Sequence, residues 1–583
     1  MGILIARPAD LLRTLKDSGY KNTSYALAEL VDNSIEANAK NITISIKSGK
    51  DMAKTRVVDR IQKIGIFDDG EGMDKDIISQ CLAIGWGTRI DNPKGLGKFG
   101  FGLKGASISM AEKIEIFSWQ NGEIPNYTYL DFDEINQTDQ LEIPTPISKE
   151  IPKDYSIFST FDKIPTSGTL IIWSNLDHYR LNPKQSATLV EHLNKDMCRI
   201  FRHFMDDDDL LGSRRSIKVR LIDENEFIVQ DISLQPNDPM YLLTPNNLPG
   251  YENEPTNEKI DEATVKAIDI NGKEQFIKVS LSVALPEIQR KGGNTSIGKH
   301  YASNNGISFV RAGRELELND KNFFPPSEPR TRWLGIEVQF PPQLDDYFGV
   351  TNNKQAIRKF MNFNESQLEQ FSQIIEDEQS DYEVNEAKML SDLHNTVLKL
   401  YRTGERIVKS RGEGTKVPKP GGNDTTATIV SKQIKKIDVN VETSSATDAA
   451  KKSDEEKLKE LTELALKTDT SRSIEEAESL AKYQLANLVE LAYDDWAGNV
   501  FIDVKNRGNA AVVVINRRHP FYNKFHDHLL NSDDKKGFEA LKIMLMALVR
   551  TEDVLENRIG KEKFEKIREE WGKYLKEFLE ILD

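Results

Sequence analysis

A glycine-rich stretch near residue 100 constrains the fold most strongly, because it suits neither the interior of a helix nor that of a strand. It reads GLGKFGFGLKGAS over residues 95–107, with five glycines and two lysines before a helix-prone segment. Bare backbone amides, a helix N-terminus and nearby ammonium groups together suit phosphate binding. No Gly-Lys-Ser/Thr closes the stretch as in a P-loop, and the strand that should precede a dinucleotide fingerprint is missing. A purely structural glycine loop is the alternative.

Residues 25–37 predict an amphipathic helix with acidic residues on its polar face. Glu29 and Asn33 stand one turn apart on that face, so their head groups can converge on one point. A carboxylate beside a carboxamide can orient a water for attack and can coordinate Mg²⁺ through oxygen. The alternative is a solvated polar face, which also contains Asp32 and Glu36.

A second polar motif follows a predicted strand at residues 64–67 and reads DDGEGM over residues 68–73. Asp68 offers an acceptor suited to an exocyclic amino group such as that of adenine. The glycines at 70 and 72 allow a sharp turn and the close approach of a ligand to the backbone. An Asp-Gly hairpin turn is the alternative. Further on, Thr169 enters an apolar strand at 167–173, where strand entry alone would explain a hydroxyl.

Composition describes a chain of 583 residues with 38% hydrophobic and 29% charged residues. No run of about 18 apolar residues predicts a membrane span, and no signal peptide is recognisable, so a cytoplasmic location without membrane contact is expected. Two cysteines are too few for a disulfide framework and are expected to be structural. The net charge of -15 argues against a generally basic surface but permits a local basic groove.

The remaining chain divides by pattern. Strand signals between about 215 and 345, among them 216–222, 306–310 and 334–340, predict a second, α+β domain that ends in the polar turn GVTNNKQ at 349–355. Residues 411–455 lack periodicity and predict a flexible linker. The C-terminal region is predicted mostly helical, and residues 538–549 form either a central helix or a dimer seam. His519, His526 and His528 lack partners at ligand spacing and are not expected to bind metal.

Three motifs, Glu29-x-x-x-Asn33, Asp68-x-Gly70-x-Gly72 and the loop at 95–105, stand in one order. Together they resemble the motif set of the GHKL (Bergerat-fold) ATPases, such as gyrase B, MutL and the ninety-kilodalton heat-shock chaperone. The loop at 97–105 and the segment 351–355 are most similar to Microrchidia (MORC) proteins within that family. The resemblance covers about the first two hundred residues.

The resemblance implies an α+β architecture with three parts: an N-terminal Bergerat α/β sandwich, a second α+β transducer domain of ribosomal-protein-S5-like type, and a mostly helical C-terminal region. The predicted boundaries are 1–212 for the ATPase domain, 213–365 for the transducer, 366–410 for a helical extension, 411–455 for the linker and 456–583 for a C-terminal domain with possible dimerisation.

Family roles carried over by matching residues make Glu29 the general base, Asn33 the protein ligand of Mg²⁺ and Lys354 the transducer group that reaches the γ-phosphate of ATP. Residues 86–93 would form part of a lid. The implied nucleotide-binding set is Asn33, Asp68, Gly70, Gly72, Met73, Gly97, Lys98, Phe99, Gly100, Gly102, Lys104, Gly105, Thr169 and Gln355.

The resemblance therefore implies an ATPase with ATP and Mg²⁺ as cofactors. It also implies a homodimer whose N-terminal domains pair on ATP binding, acting as a clamp on duplex DNA in genome defence or DNA compaction. Protein partners in a multi-component system are a further expectation. The alternative is a chaperone-like protein-remodelling ATPase or a regulatory interaction module without DNA binding. A histidine kinase is disfavoured, because no histidine has the context of a phosphoacceptor helix.

Overall fold

The chain, described here by a computed structural model, divides into two compact units. Unit 1 comprises Met1–Ser282, His300–Glu328 and Leu334–Tyr401, and unit 2 comprises Val283–Lys299, Pro329–Trp333 and Arg402–Asp583. The structure describes residues 14, 16, 19–53, 56–86, 102–138, 142–158, 165–206, 214–325, 328–350, 355–377, 380–411, 424–438, 441–470, 472–526, 529, 535–579 and 581.

Unit 1 contains a sheet of eight strands in the order β5-β4-β3-β6-β2-β1-β7-β8. Neighbouring strands are antiparallel except β1 and β7, which run parallel. The strands are β1 (Asn41–Ala53), β2 (Arg56–Asp68), β3 (Ala111–Trp119), β4 (Asn126–Asp131), β5 (Ile147–Ser148), β6 (Gly168–Leu176), β7 (Ser216–Ile222) and β8 (Ile228–Ser233).

Helices cover one face of this sheet, because alternate strand residues present an apolar surface there. The core on that face combines isoleucines of the central strands with apolar side chains of α1, α3 and α6. The opposite face carries a smaller aromatic cluster that includes Phe67, Phe117 and Trp119. The helices of this region are α1 (Thr23–Glu36), α2 (Lys75–Gln80), α3 (Gly102–Met110), α4 (Phe132–Thr138), α5 (Lys153–Ser156) and α6 (Ser186–Ile200).

The strand Ser216–Ile222 was predicted as part of the second domain, but it pairs with β1 in the first sheet. A local alternating pattern identifies a strand without identifying its partner, and parallel pairing across about 170 residues leaves no local signal. The α+β fold class is confirmed, with a helix-covered sheet as the GHKL sandwich requires.

A second sheet of unit 1 has five strands in the order β12-β11-β13-β10-β9. Its strands are β9 (Asn257–Ile268), β10 (Glu274–Ala284), β11 (Ile307–Arg311), β12 (Arg314–Asn319) and β13 (Leu334–Phe340). The helices that follow β10 in the chain, up to residue 411, are α7 (Pro286–Gln289), α8 (Ser296–Ser303), α9 (Asp345–Phe348), α10 (Glu365–Glu376) and α11 (Asp381–Ser410).

A buried ionic network joins α6 and its C-terminal end to the second sheet. Arg202 is fully buried and donates to Glu315 at 2.7 Å and to Ser308 at 2.6 Å. It also pairs with Glu337 on β13, and Arg199 pairs with Glu315 from the preceding turn. Removing one partner of such a network leaves uncompensated charge in the interior.

Unit 2 has a three-stranded sheet in the order β14-β16-β15, formed by β14 (Val489–Asp494), β15 (Ile502–Arg507) and β16 (Ala510–Asn516). One face packs on α12, α16 and α17, and the other meets α14, against which α15 packs. The helices are α12 (Thr426–Ile437), α13 (Ser444–Ala449), α14 (Asp454–Thr468), α15 (Ile474–Gln484), α16 (Lys535–Ile559) and α17 (Lys561–Leu579). The mostly helical character predicted here thus holds around a small sheet.

Two helices, α12 and α13, lie inside residues 411–455, where composition predicted a flexible linker. Threonine side chains cap both starts: Thr425 accepts from the Thr428 amide, and Thr443 accepts from the Ala446 amide. Ala427 and Ile434 of α12 pack into the core of the sheet. The polar composition concealed this short apolar stripe. Residues 412–423 and 439–440 lie outside the described part of the chain.

Residues 538–549 belong to α16, whose Leu541, Leu545 and Val549 are buried against the sheet. Ile543 and Met544 on its other side are 49% and 56% exposed. Residues 538–549 therefore lie in a helix that packs on the sheet of unit 2, as the first alternative predicted. Their role in a dimer seam stays a prediction.

Histidines of unit 2 take part in packing. His519 lies 3.0 Å from the Gly572 carbonyl oxygen, and His526 lies 3.2 Å from the Tyr493 hydroxyl. The described residues contain no cluster of three or more His, Cys, Asp or Glu side chains suited to a metal ion, and His528 lies outside them. Among the described helices, none combines the length and apolarity that a membrane crossing requires.

We expect Arg202→Met to destabilise unit 1 strongly, because Glu315 and Glu337 would stay buried without their shared guanidinium. Breaking a buried ion pair from one side costs about 3–5 kcal/mol. Thermal unfolding of the full chain measures the effect. The control is Lys47→Met, which removes the pair with the half-exposed Glu226 and costs at most about 1 kcal/mol. Equal losses in both variants would contradict the network's role.

Candidate active site

Helix α1 carries two carboxylates into the interior. The Asn22 side chain caps its start by accepting from the Tyr25 amide at 3.1 Å. Glu29 and Asp32 are each only 1% exposed, whereas Asn33 is exposed. A solvated polar face is therefore excluded for these two carboxylates. They need partners, because burying an ionised group alone is costly.

Arg314, the first residue of β12, supplies countercharge to both carboxylates. Its Nε lies 2.9 Å from Asp32 Oδ1, and one of its terminal nitrogens lies 3.5 Å from Glu29 Oε1. The guanidinium is itself fully buried. Burial alone would lower the pKa of Arg314, but the charges of Asp32 and Glu29 outweigh it and raise the pKa above its ordinary value. Arg314 is therefore a permanent cation beside α1.

The N-terminus of α3 reaches the same carboxylate from another side. A methyl group added at Gly102, which opens α3, would lie 2.7 Å from Glu29 Oε2. The helix that follows the glycine-rich stretch therefore begins against Glu29, as the three-motif hypothesis requires. Tyr20 is a further neighbour, since burial and then the charge of Glu29 raise the pKa of its hydroxyl.

Asp68 lies at the end of β2 as a buried acceptor. Its Oδ2 accepts from the Ser34 hydroxyl at 2.8 Å and its Oδ1 from the Gly70 amide at 2.9 Å. Burial raises the pKa of Asp68 to about 6, although the Gly70, Ser34 and Thr169 donors act in the opposite direction. The three donors thus orient the carboxylate, but they do not fully offset the cost of burying its charge. One more hydrogen-bond donor would therefore stabilise the ionised form.

The two glycines after Asp68 have no room for a side chain. A Cβ at Gly70 would lie 2.8 Å from the Ala37 carbonyl oxygen. Gly72 has φ +68°, and a Cβ there would lie 2.0 Å from the Trp119 carbonyl oxygen. Glycine is therefore required at both positions, so a close-approach turn replaces the Asp-Gly hairpin alternative.

Ser118 connects two of the predicted residues. Its Oγ lies 2.9 Å from the Thr169 hydroxyl and accepts from the Met73 amide at 2.8 Å. Thr169 also stands directly opposite Asp68 in the pairing of β2 with β6. The structure therefore brings Asp68, Met73 and Thr169 together, and strand entry alone does not account for Thr169.

Lys104 and Gly105 are buried within α3. The Lys104 ammonium donates to the carbonyl oxygen of Trp86, where the predicted lid begins. Burial lowers the pKa of Lys104 to about 8. A lysine predicted to offset phosphate charge thus contacts the backbone in this structure. Gly97, Lys98, Phe99 and Gly100 lie outside the described residues.

Gln355 reaches the beginning of α1 from the second domain. Its Oε1 accepts from the Lys21 amide at 2.7 Å, one residue before the cap of α1. Lys354 lies outside the described residues, so its assignment as the γ-phosphate ligand stays a prediction.

Sequence reasoning missed three contributors: Ser34, Ser118 and Arg314. Ser34 directly follows the predicted magnesium ligand, yet a serine within a helix carries no functional signal. Ser118 and Arg314 lie far along the chain, and only strand pairing and the second sheet bring them to the site. Two buried carboxylates demand a cation, but the sequence did not show that Glu29 and Asp32 are buried, so Arg314 could not be predicted.

The described residues at the two ends of the site, Asp68 and Glu29, fit the adenine and the phosphate end of adenosine triphosphate. Asp68 is an acceptor suited to an amino group, and the crowded glycines place bare backbone beside it. Ser34 and Glu29 lie five positions apart on α1, about 7.5 Å along the axis at 1.5 Å per residue. Helix α1 therefore carries both Glu29 and Ser34, the residue that holds Asp68.

Residues 20–164 match the family of histidine kinase-, DNA gyrase B- and HSP90-like ATPases. This segment is similar to a GHKL ATPase domain. The matched residues contain Glu29, Asn33, Asp68 and α3, so the predicted resemblance to the GHKL ATPases is confirmed.

Protein MICRORCHIDIA 3 of Arabidopsis thaliana is 25% identical over 166 residues, which cover 26% of each chain. The chain thus spans about a quarter of that relative's length. A solved structure described as the N-terminal domain of a DNA repair protein has a TM-score of 0.37 at 16% identity, covering 67% of this chain and 98% of its own.

Asp68 should make the stability of the nucleotide-free chain depend on pH. Its pKa of about 6 exceeds the ordinary 3.8, so the ionised carboxylate lowers stability above pH 6 and the loss disappears as the pH falls toward 4. Asp68→Asn should therefore unfold at a higher temperature than the wild type near about pH 7.5, with a difference that shrinks by about pH 5. Thermal scans at several pH values test this. The exposed Asp133→Asn is the control, and a pH-independent difference for Asp68→Asn would contradict the assignment.

Proposed function

We propose that this chain is a Mg²⁺-dependent ATPase with Glu29 as the general base. One observation carries the proposal: a buried helix presents Glu29 at the N-terminus of α3 and, through Ser34, holds Asp68 at the strand end. The GHKL family match over residues 20–164 supports ATP binding and hydrolysis by such a site.

At the adenine end, the Asp68 carboxylate accepts a hydrogen bond from the exocyclic amino group. Ser34 and Gly70 fix the orientation of that carboxylate before nucleotide arrives, so little ordering remains to be done on binding. Thr169 and Ser118 support the same end, and Met73 lies beside them. Gly70 and Gly72 keep the wall free of side chains.

At the hydrolytic end, Glu29 accepts the proton of the attacking water and orients that water toward the phosphorus. Bound ATP with Mg²⁺ supplies the γ-phosphoryl group and its charge neutralisation. Asn33 is proposed to give the protein oxygen to the metal, which suits an ion that keeps most of its waters. The amides of Gly97, Gly100, Gly102 and Gly105 are proposed phosphate donors, with Phe99, Lys98 and Lys104 alongside, and Lys354 and Gln355 from the second domain.

The proposed use of the ATP cycle is conformational. Contacts that differ between ATP and ADP would shift the N-terminal domains between paired and separate states. The loop at 97–105, which resembles that of MORC proteins, favours a dimeric clamp on duplex DNA. The net charge of -15 favours the second candidate, a protein-remodelling ATPase without DNA binding.

Glu29→Ala should abolish ATP hydrolysis while ATP still binds, because the adenine end stays intact. Loss of a general base costs about 10²–10⁴-fold in kcat. Phosphate release measures kcat, and equilibrium binding of ATP measures Kd.

Two comparison variants make that test specific. Glu36→Gln, on the same helix, should keep the wild-type kcat. Asp68→Asn should show the opposite pattern to Glu29→Ala and lose ATP affinity first. Hydrolysis by Glu29→Ala at the wild-type rate would refute the base assignment.

The clamp hypothesis predicts DNA binding that depends on nucleotide. A gel shift of duplex DNA with the full chain should appear with a non-hydrolysable ATP analogue and weaken with rising salt. Light scattering of the same samples should report a doubled mass only with the analogue. Absent or salt-insensitive DNA binding in both nucleotide states would exclude the clamp and favour the protein-remodelling candidate.

A further inference from the structure

Arg314 lies in the second sheet, yet its charged group is buried beside the proposed catalytic base. We propose that Arg314 is a positioning residue for Glu29, through which the second sheet of unit 1 sets the competence of the site for hydrolysis. This inference rests on the proposed function and adds a residue to it.

The guanidinium of Arg314 contacts two carboxylates, those of Asp32 and Glu29. Asp32 takes the shorter contact, at 2.9 Å to Nε, and Glu29 Oε1 the longer, at 3.5 Å to a terminal nitrogen. A planar guanidinium presents its donors in a fixed fork, so the position of Asp32 fixes the direction from which Glu29 is held. The other oxygen of Glu29 lies toward Gly102. Arg314 therefore restrains the base at one oxygen and leaves the other directed at α3.

Ion pairs of the residue next to Arg314 fix the position of the β12 backbone. The next residue, Glu315, is 1% exposed and pairs with Arg199 and Arg202. Consecutive strand residues project to opposite faces. The ion pairs of Glu315 with the arginines at the end of α6 therefore keep the Arg314 side chain directed toward α1. A displacement of β12 would move the Arg314 guanidinium away from Glu29.

Two cations near the site, among the described residues, contact other groups. Lys104 on α3 donates to the Trp86 carbonyl oxygen, and Arg199 on α6 lies 3.4 Å from the Tyr25 hydroxyl. Tyr20 lies within the field of Glu29, Arg314 and Asp32 as a neutral hydroxyl. The alternative role for Arg314 is simply to neutralise Asp32 so that α1 can be buried.

A pair of variants separates these two roles in the full chain. Arg314→Met alone would leave two buried carboxylates, so it is combined with Asp32→Asn, and the double variant is compared with Asp32→Asn. We expect kcat of the double variant to fall about 10²-fold below that of Asp32→Asn, as a misplaced catalytic group does. Kd for ATP should stay within about threefold, because the contacts of Asp68 are unchanged. Equal kcat in both variants would overturn the inference.

Arg314→Lys in the otherwise natural chain provides a second measurement. An ammonium still neutralises Asp32, but as a point charge it cannot hold both carboxylates in one plane. We expect a thermal midpoint near that of the wild type with kcat about tenfold lower. An unchanged kcat would overturn the positioning role.

The matched control is the buried, bidentate ion pair of Arg311 with Asp345, whose two hydrogen bonds are 2.7 and 2.9 Å long. Arg311→Met with Asp345→Asn should leave kcat unchanged, and an equal loss there would overturn the inference by showing general loosening. If the wild-type chain itself releases no phosphate from ATP, the proposed function fails. If it does, and the Arg314 variants keep their rates, only the inference fails.

Discussion

Burial of charge beside α1 is the constraint on which the rest of unit 1 depends. Helix α1 carries two carboxylates that are shielded from solvent, Glu29 and Asp32. Neither can be buried alone at neutral pH. The chain meets this requirement with Arg314, which comes from a different sheet almost three hundred residues later. The first and second sheets of unit 1 are therefore held together by the same charges that shape the site.

The sequence was informative wherever function demands an unusual residue at a fixed local spacing. Glu29, Asp68 and the glycines at 70 and 72 are such residues, and the structure places them together on α1 and at the end of β2. Local patterns also identified β13 and the α+β class. These signals survive because each depends on a helix period, a strand period or a turn within a few residues.

Properties that depend on distant pairing could not be predicted in the same way. The strand at 216–222 looks like any half-buried strand, and nothing within it names β1 as its partner. Ser118 and Arg314 become part of the site only through strand order, and a serine or an arginine alone carries no such signal. In unit 2 the polar composition of 411–455 concealed α12, because only two of its buried residues, Ala427 and Ile434, are apolar. Thus the sequence predicted several residues that the structure brings together, but it did not predict Ser34, Ser118 and Arg314, which contact them.

The adjacent pair Arg314 and Glu315 has a consequence for how the chain folds. The two residues project to opposite sides of β12, one toward acids on α1 and the other toward arginines at the end of α6. A slip of β12 by one residue would exchange the sides. Glutamate would then meet two carboxylates, and arginine would meet two guanidinium groups, all of them buried. The opposite charges of Arg314 and Glu315 thus favour the observed register of β12. A shifted strand would be destabilised by buried like charges on both of its faces, whether or not a nucleotide is bound.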